Sequence, residues 1–380
     1  MALVVLSEPQ TYPPTINAAN ILAEQGHRVF VYGIKYDTKD KIALHPNITM
    51  KYWGSQAKGI FNVLKYCTIY FRLLIDSFSK KFDWIIAYDA FSVGPTYITA
   101  KLRNIKWIYH QHDWWEQPIG LFQKTVNKLE FKWGSKATVV SFPQTKRAEL
   151  YQQQTGMASL PLIVYNGPRL AWVAEPQPMH PFLQSIKNTY SNILVYQGGL
   201  SSYFGLQNLV AALPKHSANT ALLFIGRELE QGIINKLNAV AKEYKVEPNI
   251  FYWKEYVSYD ALPAITSYCT VGIAKLTHNN MYAPINDKFI AGASNKIAEY
   301  MACSLPIIAS NTDDNIAYYT PHNIGVLCNT NSVDAIVAAL DTLLLNKQFA
   351  HTMGNNNKHN FNTIYNFDKQ FQKIASIIAA

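Results

Sequence analysis

The clearest chemical signal in the sequence is a cation and a carboxylate one helical turn apart. Lys296 and Glu299 lie near the start of a predicted helix, Asn295–Ala302. Free amides at a helix start attract anions, and a lysine there adds a compact positive charge. Acidic residues accept hydrogen bonds from ribose hydroxyls in other nucleotide-binding folds, and Glu299 is placed to do the same. The predicted nucleoside diphosphate site therefore includes, besides Glu299, the residues Ser294, Asn295, Lys296 and Ile297, with Ser294 or Asn295 capping the helix.

A glycine pair provides a second candidate site. Gly198 and Gly199 stand at the end of an apolar segment, Asn192–Gly198, that predicts a strand, and a predicted helix, Leu206–Leu213, follows. Glycines let backbone amides approach a ligand closely, and the following helix start favours an anion. The alternative interpretation of this segment is a glycine-rich turn without a ligand. The corresponding alternative for 295–302 is an amphipathic helix that leads into a buried strand.

Two histidines close another predicted strand, Lys106–His112, which runs into Asp113. Polar residues at the carboxyl end of an apolar strand lie where a doubly wound sheet binds ligands. His112 is the better candidate than His110 because it stands further beyond the apolar run. The alternative is a pair of loop histidines with ordinary packing.

These residues need a parallel sheet to position them, and the apolar segments predict one. Near-continuous apolar segments alternate with helical patterns, which is typical of α/β domains whose sheets are covered on both faces. Besides those already given, the predicted strands are Ala2–Leu6, Arg28–Gly33, Asn47–Trp53, Asp83–Asp89, Ala137–Phe142, Leu162–Asn166, Thr220–Gly226, Asn249–Trp253, Val271–Leu276, Pro306–Ser310 and Gly325–Asn329. Four prolines in 167–181 predict a linker between two such domains.

Composition narrows the class of protein. The 380 residues are 49% hydrophobic and 16% charged, which suits two domains with sizeable cores. The net charge of +9 favours anionic partners without choosing among them. The four cysteines form no CxxC pair, which argues against a disulfide scaffold or cysteine zinc site and suits a reducing cytoplasm. We expect neither a secretory signal nor a transmembrane helix, because the first residues lack a basic leader and no long uncharged apolar stretch occurs.

Four segments resemble the GT-B glycosyltransferases, particularly glycosyltransferase family 4. The most specific is SNKIAEYMACSLPIIAS at 294–310, which is similar to the family signature PNK-x-x-EYMA-x-G-x-PII-S. Support comes from LAEQGHRVFVY at 22–32, HQHD at 110–113 and YQGGL at 196–200. The resemblance implies two doubly wound Rossmann-like domains facing a central cleft. These would be an acceptor-binding domain at 1–170 and a sugar-nucleotide-binding domain at 171–360, with a C-terminal helix at 361–380 packing back on the first.

The activity that the resemblance implies is that of a retaining hexosyltransferase. Such an enzyme moves a sugar from a UDP or GDP sugar to a hydroxyl of a glycan, a lipid-linked saccharide or a small molecule. It uses no cofactor and typically no bound metal, and the sequence shows no DxD motif at a strand end. His112, with Asp113 beside it, would face the transferred sugar. Tyr256, after the predicted strand Asn249–Trp253, would lie near the nucleobase.

The chain departs from the family pattern at its phosphate cations. Many members carry an arginine and a lysine where this chain has Gly199 and Phe204. Lys296 is then the first choice of cation for the diphosphate. Arg227 is the second, because it directly follows a predicted strand. Lys275 and Lys288 are weaker candidates.

A third departure lies eight residues before Glu299, where the family often has another glutamate and this chain has Ala291, with Asp287 nearby. These departures favour a rival interpretation, a catalytically silent GT-B scaffold or binding subunit. A sugar-nucleotide epimerase of the same architecture is another rival, although the histidines and the lysine–glutamate pair fit transfer better.

The segment 56–82 is a candidate surface for an anionic membrane. Its apolar residues recur at 60, 63, 64, 67, 70, 71, 74 and 78, while Lys58, Lys65 and Arg72 fall seven apart on the other side. A basic amphipathic helix can lie on an anionic membrane. The alternative, given equal weight, is a helix whose apolar side faces the core and whose basic side is exposed to solvent. We expect a cytoplasmic protein, with peripheral contact to the inner face of the membrane left open. Basic residues are dispersed, so we expect no nucleic-acid partner.

Overall fold

The structure is a computed structural model that describes residues 1–35, 44–55, 60–114, 120–173, 178–216, 218–253, 257–274 and 285–380. It contains two compact units. Unit 1 comprises Met1–Asn166, Pro284–Phe289 and Phe367–Ala380, and unit 2 comprises Gly167–Ala283 and Ile290–Asn366. The first boundary falls where the predicted proline-rich linker begins. Each unit is a doubly wound α/β domain, so the predicted fold class is confirmed.

The strands form one parallel sheet in each unit. The strands of unit 1 are β1 (Ala2–Val5), β2 (Val29–Lys35), β3 (Ile48–Ser55), β4 (Trp84–Tyr88), β5 (Lys106–His110), β6 (Val139–Phe142) and β7 (Leu162–Ile163). Those of unit 2 are β8 (Asn192–Gln197), β9 (Thr220–Ile225), β10 (Ile250–Trp253), β11 (Val271–Ile273), β12 (Ile307–Ser310) and β13 (Gly325–Cys328). The orders are β3-β2-β1-β4-β5-β6-β7 and β10-β9-β8-β11-β12-β13. Both place the first strand of the unit at the point where the order reverses.

Helices connect these parallel strands. Unit 1 contains α1 (Pro13–Glu24), α2 (Ile60–Lys80), α3 (Asp89–Arg103), α4 (Gly120–Leu129) and α5 (Thr145–Thr155). Unit 2 contains α6 (Pro181–Lys187), α7 (Leu206–Ala212), α8 (Ile233–Glu243) and α9 (Pro263–Thr266). The chain then forms α10 (Ile285–Lys288) in unit 1, α11 (Asn295–Ala302), α12 (Asp313–Tyr319), α13 (Val333–Leu344) and α14 (Lys347–Asn360) in unit 2, and α15 (Phe367–Ala379) in unit 1.

The sheet of unit 1 is buried on both faces because alternate residues of its strands point to opposite sides. One face, with Leu3 of β1, packs against a cluster that includes Phe371 and Ile374 of α15. The other face, with Val4, packs against a cluster that includes Ile69 of α2. The predicted C-terminal helix at 361–380 differs in one respect. The chain makes a π-helical turn at Phe361–Tyr365 before α15 begins.

The orientation of α2 places most of its predicted apolar stripe away from the core, although Tyr70 packs against a buried cluster with Tyr66. The residues that α2 buries are Tyr66, Ile69, Leu73 and Ser77. Of the stripe, the residues whose side chains the structure describes are 63, 64, 67, 70, 71, 74 and 78, and each is half-buried or exposed. The stripe is therefore the outer face of α2. Lys58 lies outside the described residues, and the side chain of Lys65 is likewise not described.

Candidate active site

The candidate nucleotide site of unit 2 lies at the carboxyl ends of β8 and β11. The chain runs outward from β8 through β9 to β10 and then returns to β11 on the other side of β8. Such a reversal of strand order is where open α/β sheets bind ligands. Tyr300 of α11 joins the two strands here. Its hydroxyl accepts the N–H of Gln197 at 2.9 Å and lies 3.2 and 3.1 Å from the carbonyl oxygens of Val195 and Ile273.

Glu299 is the carboxylate at this point, and it is buried. Gln197, the last residue of β8, donates from Nε2 to Oε2 of Glu299 at 3.1 Å. Thr266 donates to Oε1 of Gln197 at 2.6 Å, which orients the amide. Burial raises the pKa of Glu299 to about 7, and the charge of Lys296 works in the opposite direction. Near neutral pH this carboxyl is therefore partly protonated and partly ionised.

Lys296 lies three residues before Glu299 on α11 and is also buried. Its Nζ lies 4.0 Å from the centroid of the Tyr196 ring, a cation–π contact. The ammonium reaches the loop after β8, because a Cβ at Gly198 would lie 3.1 Å from Nζ. Gly198 also has a φ of +119°, which disfavours any other residue. The sequence-predicted lysine and the first predicted glycine are therefore neighbours.

The start of α11 has no side-chain cap. Ser294 takes the N-cap position, but its side chain accepts no hydrogen bond from the first turn. Oδ1 of Asn295 is buried with no hydrogen-bond partner among the described residues. The expectation that one of these side chains caps the helix is therefore wrong. The amides of the first turn, including that of Ile297, remain as donors for an anion.

The remaining predicted residues of unit 2 lie around the loop after β8 or outside the description. Arg227 is exposed and follows β9 after one intervening residue, Gly226, and its carbonyl oxygen accepts the N–H of Leu200 at 2.9 Å. A Cβ at Gly199 would lie 2.2 Å from Cδ1 of Leu229, an exposed side chain that would have to move. Tyr256 lies outside the described residues, as does Lys275.

The carboxylate of Glu230 accepts hydrogen bonds from the short helical turn Ser202–Phe204, which precedes α7. Oε2 of Glu230 accepts the N–H of Ser202 at 2.7 Å and lies 3.3 Å from Oγ of Ser201, while Oε1 accepts from Oγ of Ser202 at 2.9 Å. Lys236 donates to the same carboxylate at 2.5 Å. The hydrogen bond from Lys236 and those from Ser202 lower the pKa of Glu230 to about 2. The loop with Gly199 and Phe204 thus receives a negative charge from within the protein.

In unit 1 the two predicted histidines have different environments. His110 is the last residue of β5, and its Nδ1 lies 2.7 Å from Oγ of Ser141. His112 stacks on Tyr88, with ring centroids 5.1 Å apart, and also contacts Tyr12. Neither ring nitrogen of His112 has a hydrogen-bond partner in the described part of the chain. Burial lowers the pKa of His112 to about 3, so the ring is neutral at pH 7.

Asp89 positions the backbone of His112. It directly follows β4, and its φ of +60° lies in the left-handed region, where aspartate is among the better tolerated residues. Its Oδ1 accepts the N–H groups of His112 and Asp113 at 2.7 and 3.2 Å. Burial and the charge of Asp113 raise the pKa of Asp89 to about 8. Asp113 itself is exposed and accepts a hydrogen bond from the Tyr12 hydroxyl at 3.2 Å.

Arg147 joins the His112 loop to α10. This fully buried guanidinium donates to the carbonyl oxygens of His112, Asn286 and Phe289 at 2.8, 2.9 and 2.9 Å. Asn286 forms two further hydrogen bonds, both of 2.7 Å, to the N–H and carbonyl oxygen of Trp114. A segment that precedes α11 in sequence is thereby part of unit 1.

Part of the chain matches a known protein family, and its whole fold occurs in solved structures. Residues 182–360 match the family model of the glycosyl transferases group 1. Solved structures share the whole fold, among them the sucrose-phosphate synthase from Thermosynechococcus elongatus, at a TM-score of 0.75 and 16% identity over 100% of this chain and 98% of that one. The whole chain therefore has the GT-B fold, and residues 182–360 match a glycosyltransferase family.

Two further structures are similar to this chain over nearly their whole length. The glycosyltransferase from Rickettsia africae has a TM-score of 0.76 and 15% identity, covering 99% of this chain and 97% of its own. Anabaena HepE in complex with UDP and glucose has a TM-score of 0.73 and 15% identity, covering 100% and 98%. A comparison with curated protein sequences found no match.

Unit 1 contains a further buried carboxyl, that of Glu130. Glu130 accepts hydrogen bonds from the hydroxyl of Tyr109 and from Nε2 of Gln111, the latter at 2.9 Å. Burial raises the pKa of Glu130 to about 7. Because Gln111 lies between the two histidines, Glu130 supports the same loop as Asp89.

Sequence reasoning missed several residues that position this site. Asp89 and Gln197 could have been found, because each is polar at the end of a predicted apolar strand, the signal that selected His112. Arg147 carried no such signal, since an arginine in a polar helix normally faces solvent. The predicted Asp287 lies on α10 in unit 1, and Ala291 donates its N–H to Oδ2 of Asp314 at 2.9 Å.

Within the described ranges, no three His, Cys, Asp or Glu side chains are grouped so that they could hold a metal ion. Over the same ranges, none of the helices has both the length and the apolar character needed to cross a bilayer.

Proposed function

We propose that the protein is a retaining glycosyltransferase of family 4. It would transfer a hexose from a UDP or GDP sugar to a hydroxyl of a glycan, a lipid-linked saccharide or a small molecule. The observation that carries the proposal is the pair of buried charges, Lys296 and Glu299, on one uncapped helix start beside Gly198.

Lys296 and the first turn of α11 are proposed to bind the diphosphate. Transfer develops negative charge on the departing diphosphate, and preorganised donors in a water-poor site stabilise that charge most effectively. A buried ammonium and uncapped amides are such donors, and Gly198 leaves room for a phosphate to approach the backbone. Because these groups supply positive charge, we expect transfer without a bound metal or cofactor. Arg227 is a secondary cation, since its side chain is exposed.

Glu299 is proposed to accept hydrogen bonds from the ribose hydroxyls. Gln197 and the α11 backbone fix its position, and only its ionised form is a pure acceptor. The raised pKa of about 7 means that nucleotide binding should release a proton near neutral pH. The HepE structure contains UDP and glucose, which favours a uridine nucleotide for this chain too.

His112 is proposed to hydrogen-bond the transferred sugar. Its neutral ring can donate from one nitrogen and accept at the other, and neither has a partner among the described residues. A histidine whose pKa is about 3 is a weak base at pH 7. In a retaining transfer the departing phosphate can take the proton of the acceptor hydroxyl, so His112 would position the sugar rather than remove that proton.

A catalytically silent binding subunit is the second candidate, and Glu230 favours it. Its carboxylate takes hydrogen bonds from Ser201 and Ser202, in the loop where many relatives present cations to the donor. If this internal anion excludes the diphosphate, the protein would bind no sugar nucleotide.

Calorimetry with UDP, GDP, ADP and their glucose conjugates tests the proposal first. We expect binding of at least one nucleoside diphosphate, lost or much weakened in Lys296→Ala and unchanged in Lys242→Ala, an exposed lysine of α8. Donor turnover with and without acceptor sugars then separates an enzyme from a scaffold, with and without EDTA. NMR of the product anomer decides retention. Absence of nucleoside diphosphate binding would support exclusion by Glu230, and binding without any turnover across the acceptor panel would also favour the scaffold.

A further inference from the structure

The outer face of α2 is an exposed apolar stripe. Leu64, Phe71, Ile75 and Phe78 are 56%, 67%, 65% and 59% exposed. They follow one another at intervals of seven, four and three residues, so they lie along one side of the helix. At 1.5 Å per residue the stripe is about 21 Å long. The opposite side of α2 is already buried in unit 1, so α2 is apolar on two faces.

Basic residues border the stripe at its C-terminal end. The Arg103 guanidinium lies over the ring of Phe78, 4.0 Å from its centroid. Lys80 and Arg28 both lie over the ring of Phe30, at 5.6 and 5.0 Å, and Lys81 follows directly. This end of the stripe is therefore strongly cationic.

A small cavity borders the stripe on one side. It has a volume of about 220 Å³ and is lined by Arg72, Ile75 and Asp76 of α2. Its other lining residues are Tyr32, Lys51, Tyr52 and Trp53. Asp76 is engaged by Lys80 at 2.5 Å and by the Tyr32 hydroxyl at 2.7 Å. Arg72 is exposed, and within the described ranges it forms no ion pair.

We propose that the outer face of α2 binds an anionic lipid bilayer, with the apolar stripe in the acyl boundary and a headgroup phosphate in the cavity between Lys51 and Arg72. An exposed apolar face bordered by cations is the pattern of helices that lie in the membrane interface. Each cation near an anionic leaflet adds to the attraction. A protein partner would not require cations on both the side and the end of the stripe. This binding is separate from sugar transfer and can be measured without donor or acceptor.

Flotation of the full chain with vesicles tests the stripe. We expect binding to phosphatidylcholine vesicles that contain phosphatidylglycerol, little binding to pure phosphatidylcholine, and weakening at high salt. The double substitution Phe71→Ser, Ile75→Ser should lower partitioning at least tenfold, while Leu345→Ser, an exposed leucine of unit 2, should not. Circular dichroism confirms folding. Equal binding by the double variant and the wild type would overturn the proposal. It would also be overturned if the wild type sedimented as a dimer and the double variant as a monomer, because the stripe would then bind a second copy of the chain.

The cavity has its own test. Arg72→Gln and Lys51→Gln should each reduce the preference for phosphatidylglycerol vesicles several-fold and leave residual binding through the stripe. Lys242→Gln removes an equal charge from an exposed site in unit 2 and should change little. Added inorganic phosphate should compete only if a free phosphate is the ligand. A loss of preference no larger than that of Lys242→Gln, or full competition by phosphate, would overturn the headgroup assignment.

Discussion

The two strand-end sites of the chain use the same topology in opposite ways. In unit 1 the end of β5 carries a neutral histidine whose backbone is fixed by Asp89 and Arg147. In unit 2 the end of β8 faces a buried ammonium and a carboxyl on an uncapped helix start. One site is pre-organised by hydrogen bonds within the protein, and the other keeps donors for a ligand.

The difference teaches that topology selects the place and local charge selects the ligand. Burial keeps His112 uncharged, so it is suited to sugar hydroxyls rather than phosphate. Lys296 and the α11 amides are suited to an anion. Substitutions at each site should therefore separate sugar transfer from nucleotide binding.

The largest expected effect is that of Lys296→Ala. Loss of the cation should reduce turnover about 10²–10³-fold, because its charge matters most when the diphosphate departs. The melting temperature should change little. Arg227→Ala should have the same direction and a smaller effect, since that side chain is exposed. Steady-state kinetics measure both, with Lys242→Ala as control. Wild-type rates in Lys296→Ala would show that the charge of Lys296 does not stabilise the departing diphosphate, and the comparison between the two units would fail.

His112→Ala sharpens the contrast from the other side. We expect transfer to fall about 10²-fold while nucleotide affinity, measured by calorimetry, stays near that of the wild type. His110→Ala should instead lower stability, by about 1–3 kcal/mol, because it breaks a buried hydrogen bond to Ser141. Equal mild effects on transfer would mean that both histidines only pack. A transfer defect at His110 alone would move the site two residues.

Glu299→Gln should weaken nucleotide binding about tenfold without unfolding the protein. UDP-glucose is the suitable probe, because its phosphates do not titrate near pH 7. Wild-type affinity should fall as pH decreases through about 7, since protonation of Glu299 removes its acceptor charge. The affinity of the variant should be nearly independent of pH in the same range. An identical pH profile in both proteins would contradict the ribose assignment.

The smallest expected effect is on stability against pH. Asp89, Glu130 and Glu299 have pKa values raised by burial to about 8, 7 and 7. Folding therefore takes up protons between the unfolded and folded pKa values, and stability falls as pH rises through that window. Burial lowers the pKa values of His110 and His112. Below about pH 6.5 these two residues therefore make stability rise with pH, which is the opposite effect.

Between pH 6.5 and 8 we thus expect the melting temperature to decrease by a few degrees. The amino terminus, whose burial lowers its pKa, opposes this with one group. Asp89→Asn should flatten the slope, because asparagine tolerates the left-handed backbone and its oxygen can accept the same N–H groups. A slope as steep in Asp89→Asn as in the wild type would show that Asp89 is ionised throughout.

The alternation of apolar segments predicted the sheets closely. The helix predicted at Asn295–Ala302 has the observed bounds, and β8 and β9 each end one residue before the predicted end. These elements are local patterns of burial, which a sequence carries directly. The positions of Lys296, Gly198 and His112 follow from the strand-end rule, which needs only the element order.

The residues that sequence reasoning could not supply act over long separations. Arg147 binds carbonyl oxygens of His112 and Phe289, and no local pattern announces such a contact. The sequence also could not decide which side of α2 faces the core. Both sides of this helix carry apolar residues, and only the packing of Ile69 and Leu73 shows which side is buried. Capping at Ser294 failed for the same reason, because side-chain direction is set by surroundings.

Unit 1 recruits its last helix from the far end of the chain, and this sets an order of biosynthesis. Phe367, Phe371 and Ile374 of α15 cover one face of a sheet whose first strand is Ala2–Val5. During translation the part of that face that α15 covers, beside α1, stays exposed until Phe367–Ala379 have left the ribosome, although N-terminal domains ordinarily fold first. Unit 2, which ends at Asn366, has its full sequence before unit 1 does. A nascent chain stalled before Phe367 should therefore engage chaperones through its first 166 residues.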